Sequence, residues 1–288
     1  MRHPRAQTSV PPFLAVLLVL LLGTACTGPG GGGDGDGGDG YADARDGDGW
    51  DGAGGEGGGE LDDAGPDRAD QDPWADWDDP YCRAWLDLYD EELRRALHTE
   101  VEGHDGLSYD RAREEMFSFV DNEDGQVQGV YTGEWVTTSG IPDANIMNTE
   151  HTWCQSWGAD SLPAKSDLNH LFPTISSANS VRSNYPFGWV LDATWSQGGS
   201  SKGLDGWGQV VFEPRDAHKG DAARAIFYFA IRYQMPVPDG MEEVLRQWNR
   251  LDPPDDKERT RAERIEQLQN RRNPLVFCPL LVEQIADF

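Results

Sequence analysis

Ionisable and amide side chains crowd the stretch between residues 148 and 190. It reads Asn148-Thr-Glu150-His151-Thr-Trp153-Cys154-Gln155-Ser-Trp157, then Lys165-Ser166-Asp167-Leu168-Asn169-His170-Leu171-Phe-Pro173-Thr174, then Asn179-Ser-Val-Arg182-Ser183-Asn184. Glu150 offers a hard anionic oxygen, and the imidazole of His151 beside it can exchange a proton near neutral pH. If residues 176–183 are helical, Asn179 and Arg182 stand three apart on one face, a neutral oxygen ligand beside a fixed cation. One carboxylate and one amide oxygen suit Mg²⁺, with Ca²⁺ or Mn²⁺ as alternatives, because these ions complete their shells with water. A base to activate water, a hard cation to take up developing charge and an Arg to clamp a phosphate oxygen are the minimum for attacking a phosphodiester.

Other chemistries fit this stretch less well. His151 and Cys154 have half of a zinc spacing, which Cys278 or His170 would have to complete, but no Cys-x-x-Cys partner is present. No His-Glu-x-x-His, Gly-x-Ser-x-Gly or phosphate-loop pattern occurs. Each residue also has a plainer reading. Glu150 would be a surface carboxylate, Asn179 and Arg182 capping or ion-pairing groups, and His170 a buried structural histidine. Trp153, Trp157, Trp189, Trp195 and Trp207 either stack on bases or fill the core and its rim.

The flanking sequence supplies the scaffold. Leu86, Tyr89, Leu93 and Leu97 form a helical stripe within residues 83–97. Ser108 is placed to cap a second helix over residues 109–119, with Ala112, Met116 and Phe119 inward. Residues 129–136 combine β-formers with turn residues and predict a strand. Residues 221–233 predict a strong helix with Ala222, Ala225, Ile226 and Phe229 inward. Two more follow at 241–251 and 257–270, separated by Asp252-Pro253-Pro254. Helices, a short strand-and-loop middle and helices again make an α+β class in which helix dominates.

The chain has 288 residues, 51 acidic and 24 basic, and a formal net charge of −27. Half of its 34 glycines lie between residues 27 and 60, and residues 27–80 alone carry a net −15. Residues 81–288 carry −14 and are long enough for one domain with a sizeable core. A basic coat protein and a multi-span membrane protein are excluded. A nucleic-acid enzyme is not, because a bound cation supplies positive charge locally.

At the N-terminus, Arg2 and Arg5 precede an unbroken apolar run from Phe13 to Leu22. That run is shorter than the ~20 residues of a spanning helix and fits an export signal. Gly23-Thr24-Ala25-Cys26 resembles a bacterial lipobox, with Gly23 where Leu is commoner. Residues 1–25 are thus expected to be a lipoprotein-type signal peptide and Cys26 the lipidated membrane anchor, with plain secretion as the alternative. An outer-membrane or cell-surface lipoprotein, or a secreted protein, is the expected destination. Residues 26–80 read as a disordered acidic tether, since low hydrophobicity and like charge cannot repay the entropy of ordering. They lack the period or loop of a calcium repeat. Of the remaining thiols, Cys82 and Cys278 stand near the two ends of the domain and are the expected disulfide, leaving Cys154. A monomer is expected.

Taken in order, these motifs resemble the endonuclease I family of secreted bacterial nucleases. Glu150-His151-x-Trp-x-Gln-Ser, Ser166-Asp167-Leu168 with Leu171-x-Pro173, and Asn179-x-x-Arg182-Ser-Asn184 carry the resemblance. Gly103-His104, Leu107-Ser108-Tyr109 and Val130-Tyr131-Thr132-Gly133 extend it upstream; Arg224–Ala230, Trp248-Asn249 and Arg271-Arg272-Asn273-Pro274 extend it downstream. The resemblance spans about residues 83–278. It implies a helix-rich nuclease domain over 81–288 with an embedded ββα-metal (His-Me) finger. It places His151 on the general base, Glu150 and Asn179 on the metal ligands, and Arg182 on a recurring Arg, read here as a phosphate contact. His170, Asn184 and Asp167 are possible additional site residues. The implied activity cuts DNA, and possibly RNA, without marked sequence preference, leaving 5′-phosphate and 3′-hydroxyl ends.

Three departures stand out. Cys154 replaces the usual Pro, Asn169-His170 inverts the usual His-Asn order, and Asn148 and Lys165 stand where some members carry Glu. A second reading therefore stays open: the same fold as a catalytically silent, surface-anchored calcium-binding or adhesion module. Net charge opposes approach to nucleic acid. Arg259, Arg261, Arg264, Arg271 and Arg272 would offset it if they form a basic rim, but Glu258, Glu263 and Glu266 interleave with them and suggest a salt-bridged face.

Overall fold

The computed structural model describes Trp74, residues 77–238 and residues 240–288; the expected signal peptide, Cys26 and nearly all of the acidic tether lie outside the described residues. After a 3₁₀ turn at Pro80–Ala84, helix α1 spans Asp90–Val101 rather than beginning at residue 83. Asp90, Glu91 and Glu92 favour the start there, where the helix dipole is positive. Leu93, Leu97 and Val101 are buried, while Leu86 and Tyr89, upstream of the helix, are exposed. Helix α2 (Tyr109–Glu115) has the expected cap, the Ser108 side chain accepting from Arg111 N at 3.2 Å. It runs on into a π turn at Met116–Val120. The wider turn rotates the apolar face, so Phe117 and Val120 point inward and Phe119 does not.

Strands β1 (Asn122–Glu123), β2 (Gln126–Gln128) and β3 (Trp135–Thr137) form an antiparallel meander. The strand expected over 129–136 is mostly a turn. Gly133 N donates to Gly129 O at 2.8 Å, and Gly133 takes φ +73°, which glycine adopts without strain. Strand β4 (Met147–His151) pairs antiparallel with β5 (Leu171–Ile175), setting Glu150 opposite Phe172 and His151 opposite Leu171. Helix α3 (Ser176–Arg182) follows β5 directly. A third antiparallel sheet, β6 (Asp192–Gln197), β7 (Ser200–Leu204) and β8 (Val210–Glu213), was not expected from the sequence.

Helix α4 (Lys219–Tyr233) forms the centre of the core. Ala222, Ala223, Ala225, Ile226, Phe227, Tyr228, Phe229, Ala230 and Ile231 are all buried, the mark of a helix covered on every side. It packs against α1, α5 (Glu242–Leu251) and α7 (Pro274–Phe277). Its first turn meets the end of α5 closely: a Cβ on Gly220 would lie 1.9 Å from the Asp252 carbonyl oxygen. Arg224, fully buried, binds both Glu258 oxygens at 2.8 and 2.5 Å, Asn249 Oδ1 at 3.2 Å and Asp252 O at 2.9 Å. One guanidinium thereby ties α4 to α5 and to α6 (Asp256–Gln269). Cys82 and Cys278 form a disulfide, with Cα atoms 5.5 Å apart, that fastens the first 3₁₀ turn to the end of α7. The architecture is α+β, with three small sheets set around helices.

Candidate active site

Strand β4 and helix α3 build the site between them. Alternation puts Asn148 and Glu150 on one face of β4 and Thr149 and His151 on the other. Because α3 follows β5 without a loop, it lies against the partner strand. Asn179 Nδ2 donates to Asn148 Oδ1 at 2.7 Å and to Thr149 O at 3.2 Å. One turn on, Arg182 Nη2 donates to Thr152 O at 3.2 Å, and its Nε lies 3.4 Å from Glu150 Oε1. Glu150, Asn179 and Arg182 are therefore neighbours in a strand–strand–helix unit.

Glu150 and Asn179 are fully buried; Asn179 Oδ1 lacks a hydrogen-bond partner, and the Glu150 carboxylate meets Arg182 Nε at 3.4 Å and the Tyr131 hydroxyl but leaves lone-pair positions unfilled. Burial pushes the Glu150 carboxyl up to about 7, against Arg182 and the Tyr131 hydroxyl, which favour the ionised form. Unsatisfied buried oxygens are costly unless something binds them. A carboxylate and an amide oxygen are hard donors, and a divalent cation is the group they fit. Arg182 differs from the expectation of a phosphate contact. Its guanidinium is buried, donates to Tyr185 O at 2.6 Å and Ser183 O at 3.2 Å, and lies over the Phe187 ring at 4.4 Å. In this structure it holds Glu150 and the turn after α3.

His151 faces a different set of groups. Its Nε2 lies 3.1 Å from Lys165 O, so it is the protonated nitrogen, and Nδ1 keeps its lone pair with Gln155 Nε2 at 3.4 Å. Burial pushes the imidazole down to about 3, His170 adds to the effect and the hydrogen bond to Lys165 O works against it, so the ring is neutral at pH 7. His170 is placed in parallel, its Nε2 2.7 Å from Ala164 O. The two rings thus hang from consecutive carbonyls of the 3₁₀ turn Ala164–Ser166, with their centroids 5.6 Å apart. His170 also meets the Phe229 ring at 4.8 Å, which joins it to α4.

Asp167 and Asn184 are not brought to Glu150. Asp167 is buried and accepts from Tyr228 and Tyr233 hydroxyls, each at 2.9 Å, and from Asn169 N at 3.1 Å. Burial works against its ionisation, yet His104, His170 and these hydrogen bonds hold its carboxyl below the usual range. Asn184 is half-buried, with its amide 3.5 Å from Ser156 Oγ. The zinc alternative has no basis, since Cys278 is in the disulfide, Cys154 Sγ faces Ser183 O at 3.7 Å and His170 is turned to Ala164. The C-terminal arginines are largely committed inward. Arg261 pairs with Asp121 at 2.8 Å, Arg272 with Glu266 at 2.9 Å and Arg259 with Asp79 at 3.4 Å. Trp153 is buried and stacked on Phe229 at 4.6 Å, whereas Trp207 is exposed.

The profile of the endonuclease I family matches residues 90–279. The chain belongs to the endonuclease I family. It is 33% identical over 241 residues to an extracellular ribonuclease of Bacillus subtilis, 74% of this chain and 80% of that one. It is 32% identical over 217 residues to an extracellular ribonuclease of Bacillus amyloliquefaciens, 67% of this chain and 73% of that one. A periplasmic deoxyribonuclease of Aeromonas hydrophila is 30% identical over 110 residues, 38% of this chain and 46% of that one. This family member is an endonuclease. Sequence reasoning about it missed Tyr131, whose hydroxyl reaches the Glu150–Arg182 pair, and Tyr109, whose ring lies 5.6 Å from that of His151. It also missed Lys165 as the carbonyl that fixes the His151 ring. A main-chain acceptor leaves no mark in residue type, and both tyrosines stand out only as members of the flanking motifs, without a partner assigned.

Proposed function

We propose that this chain is an exported, divalent-cation-dependent endonuclease that hydrolyses phosphodiester bonds in RNA and DNA without sequence preference. The observation that carries the reading is the junction of β4 and α3. There the incompletely satisfied oxygens of Glu150 and Asn179 stand beside a strand whose next residue is a neutral histidine with a fixed tautomer. Two hard oxygen donors, together with a neutral histidine on the same short strand as Glu150, speak for catalysis over the silent binding module. The nearly full-length relatives named as ribonucleases support RNA beside DNA, and the extracellular and periplasmic names support export. Lipidation at Cys26 and a monomeric state belong to the same proposal.

In this mechanism His151 Nδ1 takes a proton from the attacking water, while the Nε2–H bond to Lys165 O keeps the ring in the required tautomer. The water oxygen bonds to phosphorus, the bond from phosphorus to O3′ breaks, and O3′ takes a proton from solvent, leaving a 5′-phosphate and a 3′-hydroxyl. Glu150 and Asn179 would hold Mg²⁺ (or Ca²⁺ or Mn²⁺), whose charge, when bound, offsets that developing on the phosphate and the leaving oxygen. Arg182 holds Glu150 in place. Relaxation of supercoiled plasmid and degradation of RNA test the proposal, with Mg²⁺, Mn²⁺, Ca²⁺ or EDTA, beside His151→Ala. Cutting should need the cation and fall about 10²–10⁴-fold in the variant. Equal cutting by both proteins would remove His151 from the base role.

A further inference from the structure

Beyond the base and the cation ligands, the structure brings two cations to one ring beside His151. Ser108 caps α2, which sets Tyr109 at the first helical position and Arg113 one turn later on the same face. Arg113 Cζ lies 5.7 Å from the centre of the Tyr109 ring. The turn bearing Lys165 is tied to the entry of that helix, since Ser166 Oγ donates to Leu107 O at 2.7 Å. Lys165 Nζ consequently lies 5.0 Å from the centre of the same ring. The ring itself lies 5.6 Å from that of His151, and the Lys165 carbonyl is the acceptor for His151 Nε2.

Charge bears on this pair, although Arg94, Lys202, Arg215, Arg232, Arg264 and Arg271 likewise have no carboxylate within ion-pair distance among the described residues. The chain is strongly acidic, and Arg111, Arg182, Arg224, Arg246, Arg250, Arg259, Arg261 and Arg272 all face carboxylates. Among the described residues, neither Arg113 nor Lys165 forms an ion pair. Both are half-buried, as is Tyr109. Two uncompensated cations on a fixed aromatic platform make a natural site for a phosphate group.

We propose that Arg113 and Lys165, positioned by Tyr109, form a phosphate subsite that grips the nucleic-acid strand at a phosphate next to the one being cut. The inference rests on the proposed function for what the strand is doing there. Its ligand chemistry is a single-stranded polyphosphate backbone. Neutralising that phosphate should appear in the salt dependence of binding, since it releases counterions worth about 0.7 in the slope of log affinity against log salt for single strands.

The test measures binding of a fluorescein-labelled single-stranded oligonucleotide to the full chain by anisotropy, in EDTA and between 50 and 200 mM salt, with the probe checked for integrity by gel. The double variant R113Q/K165Q should flatten the slope by about 0.7, so that the affinity lost across this range shrinks by about 2.6-fold. Lys165→Arg, which keeps a cation there, should preserve its share of the slope. Arg95→Gln on α1 should leave the slope unchanged. With a cation present, the double variant should raise KM on the oligonucleotide far more than it lowers kcat. An unchanged slope in the double variant, or an equal loss in Arg95→Gln, would overturn the subsite. If the wild-type chain cuts no nucleic acid under any cation, the proposed function falls while the slope still decides the subsite. An active chain with an unchanged slope removes the subsite alone.

Discussion

Glu150 should make the apoprotein less stable as pH rises, and the effect has a definite size. Its ordinary carboxyl titrates at 4.5; buried in the folded chain, it titrates at about 7. Below 4.5 the carboxyl is protonated whether the chain is folded or not, so burial costs nothing. Between 4.5 and 7 the folded state binds the proton more tightly than the unfolded state, so stability drains away as pH rises; above 7 the whole penalty is present. At about 1.4 kcal/mol for each tenfold change in proton affinity, that penalty is about 3 kcal/mol. Glu150→Gln removes the titration. Its partner Arg182 keeps the carbonyls of Thr152, Ser183 and Tyr185.

The assay is urea unfolding of both proteins in EDTA at pH 5 and pH 8. Whatever the offset at pH 5, where a little of the penalty is already present, the variant should gain on wild type by about 2.5 kcal/mol on going to pH 8. His151, titrating below its usual range, acts in the opposite sense, costing stability as pH falls below 6.5. The comparison cancels that contribution because both proteins carry His151. Saturating Mg²⁺ at pH 8 should then restore wild type alone, by about 2.7 kcal/mol at a hundred times the dissociation constant. An identical pH dependence in the two proteins would refute the reasoning. A gain by wild type with rising pH would mean that Arg182 outweighs burial.

Three further outcomes are expected. Cys82→Ser, or reduction of the wild type, frees a loop of 196 residues and should lower stability by about 2–5 kcal/mol in urea, with dithiothreitol then having no effect on the variant. Arg224→Met leaves Glu258 buried without its cation and should cost about 3–5 kcal/mol, which the double change with Glu258→Leu should largely recover. Gly220→Ala drives a Cβ into the Asp252 carbonyl, so thermal unfolding should show a loss of about 1–3 kcal/mol; an unchanged Tm would mean that α5 yields easily.

The helices were legible where one apolar stripe persisted. Residues 221–233, 241–251 and 257–270 each matched a helix to within two residues at either end. Failures occurred where non-local contacts overrode the local pattern. The β-formers of 129–136 include Tyr131 because its ring packs on Phe212 and His218, not because the segment runs straight. The sheet of β6 to β8 is interrupted by Gly198, Gly199 and Gly203 and leaves much of β6 exposed, so it lacks the alternation that marks a strand. Gly198 is required there because a Cβ would lie 2.2 Å from the Thr132 carbonyl oxygen.

By itself the sequence determined the helix-dominated class, the order of the motifs and the types of residue at the site, because periodicity and side-chain chemistry are local properties. The tertiary structure alone decided what those side chains face. Asn148, 31 residues before Asn179, takes the amide nitrogen and leaves the oxygen bare. Lys165, 14 residues beyond His151, supplies the carbonyl that selects its tautomer. Tyr228 and Tyr233, more than 60 residues away, claim Asp167 for the core. Proton affinity and hydrogen-bonding capacity depend on burial and on the nearest partner atoms. In a folded chain those atoms come from distant positions that no local pattern records.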